Sequence, residues 1–282
     1  MKNRRLQIFK EELLKDKLAL ISLFTLAFLI LMALLAFLSP FDPNAVDVTN
    51  MKSAPSLKHL FGTDEIGRDY FTRTLYGARV SLLIGLLSMV TTTIIGTVIG
   101  VVSGYFGGYV DSILMRLVDV LSSIPWMILV TIISLFIQGG ILAIVIVIGG
   151  FSWMGVSRIV RAETLSIKNR EYVMYSKSSG QSSFKILLRH ILPGIYPTIV
   201  VSATVFIPSA IIMESTLSFL GLGVSAPTSS WGSMLKNAQG YLSDAPHLAI
   251  IPGLMILITV YSFNRLGDVL RNVVDPKSIG GK

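Results

Sequence analysis

The sequence predicts an all-α integral membrane protein with six transmembrane helices and both termini on the cytoplasmic side. Three observations predict it. The 282 residues are 52% hydrophobic and only 14% charged, whereas a water-soluble surface needs roughly 25% charge. Six almost uncharged apolar segments recur along the chain, and the lysines and arginines collect on one side of the path those segments define.

The 24 Lys and Arg exceed the 16 Asp and Glu. In a chain this apolar, such an excess belongs in loops at the cytoplasmic membrane surface, beside lipid, rather than on nucleic acid. Cysteine is absent, which removes disulfides, thiol nucleophiles and Cys-based metal sites.

The first 17 residues carry Lys2, Arg4, Arg5, Lys10, Lys15 and Lys17 and lead into 21 uncharged residues, Leu18–Leu38. That run matches the roughly 20 residues that cross about 30 Å of hydrocarbon and lacks the short core and small-residue cleavage site of a signal peptide. Residues 1–38 therefore read as a basic segment and an uncleaved first span.

Residues 39–77 turn polar and proline-rich, with Pro40, Pro43 and Pro55. Ile66, Tyr70, Phe71, Leu75 and Tyr76 fall near one helical face, which predicts a short amphipathic helix. It lies along the membrane interface or caps the bundle.

Five more apolar segments follow within a transmembrane domain, 78–268, at about 80–104, 118–137, 141–156, 198–213 and 248–263. Only Gln138, Gly139 and Gly140 separate the second and third of these, which predicts a tight hairpin. The third is short, but its helix can continue through Ser157 to Glu163. Pro125, Pro208 and Pro252 lie inside spans and predict kinks, either structural or shaping a pathway. Residues 269–282 form a cytoplasmic tail.

Six spans place 18 Lys and Arg on the side of the N-terminus and 6 on the other. The positive-inside rule makes the first side cytoplasmic, and with it the charged loop 163–193. Within that loop Glu171 opens a short helix, where an acid favours the positive end of the helix dipole. Gly180 suits the left-handed residue that ends it, and Ser182 or Ser183 can cap the next. The second helix, Phe184–Leu192, stops at Pro193, so the loop predicts a helix-turn-helix elbow. Tyr172, Val173, Met174 and Tyr175 make the first helix unusually apolar. They form a knob for a groove on another protein or pack back on the chain's own spans.

Glu171 to Gly180, followed by Ile191-Leu192-Pro193, is similar to the EAA loop of bacterial ABC importer permeases, in which a glutamate, two small residues, a glycine and a distal Ile-Leu-Pro recur. The sequence departs from that pattern at Tyr175 and Ser176, where a pair of alanines is common. KLALISLF, HLFGTDEIGRDYFTRTLYGARVSLLIG, ESTLSFLGLGVSAPTSSWGSML and FNRLGDVLRNVVDP extend the resemblance, in order, to the second permease of dipeptide, oligopeptide and nickel importers. The resemblance implies the type I ABC importer permease fold, with Glu171, Tyr172, Val173, Met174, Tyr175, Ser176 and Gly180 forming a coupling helix seated in a cleft of an ATPase subunit. It also implies a second permease, two ATPase subunits that hold ATP and Mg2+, and an extracytoplasmic substrate-binding protein. The cargo it implies is a di- or oligopeptide, with nickel, a metal chelate or glutathione as alternatives.

The chain itself carries no nucleotide site. SSGQS at Ser178–Ser182 looks like an ATPase loop, but a phosphate cradle needs GxxxxGK[ST], which is absent. The chain is therefore expected not to be its own motor, and the resemblance implies no catalysis and no cofactor on it. His59, His190 and His247 fall in three loops on two sides of the membrane, so they read as solvated or interfacial and not as ligands of one metal. Glu214 lies just past the fifth span: either a polar group at the outer mouth of a pathway or, favoured by its depth, a helix-end residue bonded to a loop. Ser88, Thr92 and Ser202, with Thr91, Thr93, Thr97 and Thr204, line a wet path or allow close helix packing; Ser88, Thr92, Ser202 and Glu214 are the pathway candidates. The external stretch 221–248 is long enough to be functional, and the resemblance makes Trp231 and Tyr241 candidate anchors for the binding protein, against a self-packed cap. A secondary transporter or channel, the rival from another class, predicts ionisable groups buried in the spans and an internal repeat; the sequence presents neither.

Overall fold

A computed structural model describes residues 2–136 and 140–274. Helix α1 (Lys2–Lys15) is separated from α2 (Lys17–Leu34) by Asp16. One Asp16 oxygen caps α2 by accepting from the amides of Leu18 and Ala19 at 3.0 and 3.2 Å. The other meets Arg265 at 2.7 Å. The first span thus starts at a joint and ends in a 3-10 turn, Leu35–Leu38.

Residues 39–69 form a polar cap around Asp64. Its carboxylate accepts from the amides of Ile66 and Arg68 and from Arg68 Nε at 2.6 Å, and Arg73 Nε lies 3.3 Å away. Asp69 then caps α3 (Tyr70–Phe106), accepting from the Thr72 amide at 2.7 Å.

The separate amphipathic helix expected before residue 78 does not exist. Tyr70 opens the 37-residue α3, and Ile66 precedes it in a turn. Residues 70–106 contain no proline and no internal cap, so nothing ends a helix there. Part of the apolar face of this stretch is covered by protein: Tyr70 and Ala78 pack with Trp231, Met234 and Leu248, and the Tyr70 hydroxyl donates to the Leu248 carbonyl, while Ile66, Phe71, Leu75 and Tyr76 are half-buried.

Helices α4 (Gly108–Ser122) and α5 (Trp126–Phe136) replace the single span expected at 118–137; they are bent by 81°. Pro125 lacks the N–H that would continue the helix, and its ring disfavours helical geometry in Ile124. Among the described residues five helices are long and apolar enough to cross a membrane, or six if the bent pair counts as one span. Of the expected hairpin turn, Gln138 and Gly139 lie outside the described residues.

Helix α6 (Ile141–Lys168) packs along α3 through a close seam. A Cβ on Gly96, Gly100 or Gly104 would stand 2.7 Å from Val156 Cβ, 2.6 Å from the Ser157 carbonyl oxygen or 2.8 Å from Thr164 Cβ. Only hydrogen fits there, and the small-xxx-small spacing lets the two backbones approach.

Helices α7 (Glu171–Ser178) and α8 (Ser183–Ile186) form the elbow. Beyond α8 the chain does not stop at Pro193. A π turn, Leu187–Ile191, leads directly into α9 (Leu192–Phe219). A proline ring clashes with the carbonyl four residues back; the wider π turn, in which the Leu192 amide reaches the Leu187 carbonyl, admits Pro193 without ending the helix. Pro197 and Pro208 also sit within α9, and Pro252 within the last helix.

Helix α10 (Trp231–Ala238), a 3-10 turn at Gln239–Tyr241 and α11 (His247–Val274) complete the described fold. Helix α11 continues through the first residues of the expected tail, whose remaining residues, 275–282, lie outside the described ones. Against α11 the N-terminal α1 lays Phe9 and Leu13 on Leu266 and Val269.

Candidate functional site

At the elbow, local chemistry sets the bounds of α7. Arg170 is extended before it, and Glu171 is its first residue. At its end Gly180 has φ +78°. The Gln181 amide reaches the Ser176 carbonyl at 3.2 Å and the Gly180 amide the Lys177 carbonyl at 3.1 Å, the double bond of a left-handed helix stop.

The elbow has two faces. Inward, Val173 joins Val101, Tyr105, Val160, Ile167, Ile186, Ile191 and Ile195 in one buried cluster, which fastens α7 to α3, α6 and α9. Outward, Tyr172, Met174 and Tyr175 are exposed, Tyr175 by 75%. The four-residue knob is therefore three residues, with Val173 turned into the core. Phe184 (71% exposed), on α8, and Leu188, in the turn that follows it, stand four residues apart and are exposed apolar residues of the elbow as well. The sequence reading missed them, although their helical spacing carried the signal.

Ser176 accounts for one half of the unusual Tyr175-Ser176 pair. It is buried, donates to the Tyr172 carbonyl at 2.9 Å and lies 3.1 Å from His190 Nε2. A small residue is required there, while the outward position of Tyr175 admits a large one.

Behind the elbow, Arg161 grips Asp111 with two nitrogens, at 2.5 and 2.6 Å, and Arg158 meets Asp119 at 3.0 Å. These pairs tie α6 to α4. Their acidic partners sit on another helix, which spacing around Arg158 and Arg161 could not reveal.

The remaining candidates divide. Ser88 and Thr92 are buried in the α3–α6 seam, Thr92 Oγ1 reaching the Gly149 carbonyl at 3.4 Å, so within this chain both side chains are enclosed by helix packing. Ser202, on α9, is half-buried. Glu214 is fully buried where α3, α9 and α10 meet: Ser218 Oγ donates to it at 2.7 Å and Ser81 Oγ at 3.1 Å. It is a bonded core residue and not a group at an open mouth.

Trp231 is fully buried, with Nε1 donating to the Thr74 carbonyl at 3.2 Å, and therefore cannot anchor another protein by its ring. It opens α10, which Ser230 caps by the box with Ser233. Tyr241 is half-buried beneath Lys52, whose Nζ lies 5.0 Å from its ring centre. The self-packed cap is what this stretch forms. His59 is not solvated either: Nδ1 pairs with Asp69 at 2.8 Å.

Residues 96–280, from the middle of α3 onward, match the family described as the inner membrane component of binding-protein-dependent transport systems. The chain belongs to this family. The permease also matches, over residues 5–55, the N-terminal transmembrane domain of oligopeptide transport permease C. It is 43% identical over 265 residues to the dipeptide transport system permease protein DppC of Bacillus subtilis, covering 93% of this chain and 83% of that protein. To the oligopeptide transport system permease protein OppC of Escherichia coli K12 it is 41% identical, covering 95% and 90%. To the glutathione transport system permease protein GsiD of Shigella flexneri it is 42% identical, covering 92% and 86%. Among solved structures, an inward-facing form of the MetNI methionine ABC transporter superposes with a TM-score of 0.57 at 19% identity, over 70% of this chain and 94% of that one. That likeness establishes the shared all-helical permease fold. The resemblance read from the elbow and from the longer motifs is thus shown for the family.

Proposed function

We propose that this permease is one of two non-identical membrane subunits of a bacterial plasma-membrane importer for di- and oligopeptides, with the elbow and both termini in the cytoplasm. The observation that carries the reading is the elbow: exposed apolar residues Tyr172, Met174, Tyr175, Phe184 and Leu188 on a helix pair and the turn that follows it, whose inner side is fastened to three long helices. An exposed apolar face on a short helix suits a groove on a partner, and the ATPase subunit supplies it. ATP and Mg2+ bind on two such subunits, and their closure draws the elbows together and reorients the permeases. A binding protein delivers solute to the cap end. The names of the relatives support peptide as the cargo; the glutathione permease supports glutathione, itself a short peptide derivative, as a second reading.

The test is uptake by the reconstituted importer. Tyr175→Arg puts a charge into the contact and should lower dipeptide uptake about tenfold or more while the chain stays inserted. Unchanged uptake and unchanged stimulated ATP hydrolysis would sink the docking claim.

A further inference from the structure

If the elbow is the ATPase contact, a push on α7 has to reach α9. Helices α8 and α9 are joined by the π turn Leu187–Ile191. Such a turn holds one residue more than an α turn, and returning to α geometry would swing the following helix by about 100° and shift it by about 1.5 Å. Within this turn His190 reaches back to α7, placing Nε2 3.1 Å from Ser176 Oγ and its ring 5.9 Å from that of Tyr172. The Ser176 hydroxyl hydrogen is spent on the Tyr172 carbonyl, so Ser176 accepts and His190 Nε2 donates.

The rest of the packing between α7 and the segment from α8 to α9 is apolar: Val173, Ile186, Ile191 and Ile195 belong to one buried cluster. Apolar contacts are non-directional and let surfaces slide; a hydrogen bond fixes register. The one directional side-chain link from α7 to the π turn among the described residues is therefore His190–Ser176.

We propose that His190 is a positioning residue that latches the coupling helix to the π turn, and that this turn is the hinge through which elbow movement reaches α9. The proposal rests on the reading of the elbow as the ATPase contact.

The experiment measures solute transported per ATP hydrolysed in the complete importer. His190→Ala and Ser176→Ala should each lower that ratio about fivefold or more, with ATPase subunits still co-purifying. The double variant should be no worse than either single one. His190→Gln, whose amide nitrogen can occupy the place of Nε2, should recover at least half of the loss. Should His190→Ala fail to assemble, Ser176→Ala decides, because it removes one atom. Ratios within about twofold of the unaltered complex, losses that multiply in the double variant, or no recovery with Gln would each overturn the latch. Failure of the ATPase subunits to co-purify with the unaltered chain would instead overturn the docking reading, and the latch with it.

Discussion

Ser81 Oγ on α3 donates to the Glu214 carboxylate on α9 at 3.1 Å and accepts from the Trp231 amide on α10 at 3.2 Å. One hydroxyl thus joins α3 to the consecutive helices α9 and α10, which lie far from it in sequence. Glu214→Leu would leave the hydroxyls of Ser81 and Ser218 without their acceptor, a loss of about 1–3 kcal/mol for a buried group. Thermal unfolding in detergent should show a lowered midpoint, and Glu214→Gln, which keeps an acceptor oxygen, a smaller drop. Transport lost at an unchanged midpoint would mean that the carboxylate faces solute.

The α3–α6 seam makes a second prediction. A side chain at Gly100 meets the Ser157 carbonyl and Val160 at once, so Gly100→Val should destabilise by about 1–3 kcal/mol through overpacking and reduce folded yield. Gly150, around whose added Cβ nothing lies within 4 Å, should accept alanine without change. Equal tolerance at both positions would contradict the close seam.

Orientation can be read by labelling. Thr228 at the cap and Ser179 at the elbow are both exposed. Thr228→Cys should react with an impermeant thiol reagent added outside intact cells, and Ser179→Cys only after the membrane is opened. The reverse pattern would invert the topology drawn from the basic residues.

The N-terminal joint should respond to acid. Burial would raise the Asp16 carboxyl, but hydrogen bonds from the Ala19 amide and the Arg265 guanidinium outweigh it and hold the group below its ordinary value of 3.8. A depressed carboxylate contributes stability above its unfolded value, which is lost as pH falls through the folded one. The attachment of α1 to α11 should therefore persist down to about pH 4 and loosen below it. Limited proteolysis near Lys15 and Lys17 reports this. Asp16→Asn should give the loosened pattern at neutral pH as well; identical cleavage of the two proteins at neutral pH would remove the joint's electrostatic account.

What could be read from the sequence was what depends on near neighbours. Glu171 and Gly180 bound α7 because an acid at a helix start and a left-handed glycine at its end act within one turn. The beginning of α3 was not legible, because Ile66 to Tyr76 is amphipathic whether lipid or protein covers it. Helices α10 and α11, more than 150 residues onward, supply the cover. Trp231 was misplaced for the same reason: a tryptophan in a Gly- and Ser-rich loop reads alike whether it faces a partner or a core, and the Thr74 carbonyl that decides is remote in sequence. Val173 lay in a helix of eight residues, too short for period to separate its inner face from its outer one.

Helix α3 has a mechanical consequence. It runs for 37 residues without a proline, about 55 Å at 1.5 Å per residue, from Asp69 in the cap to the cluster that seats Val173 in the elbow. A helix that long, continuous and free of proline or a π turn lacks the commonest causes of a sharp kink. A tilt imposed at Tyr105 is therefore carried along the same backbone toward Tyr70, which couples the elbow end of the permease to its cap.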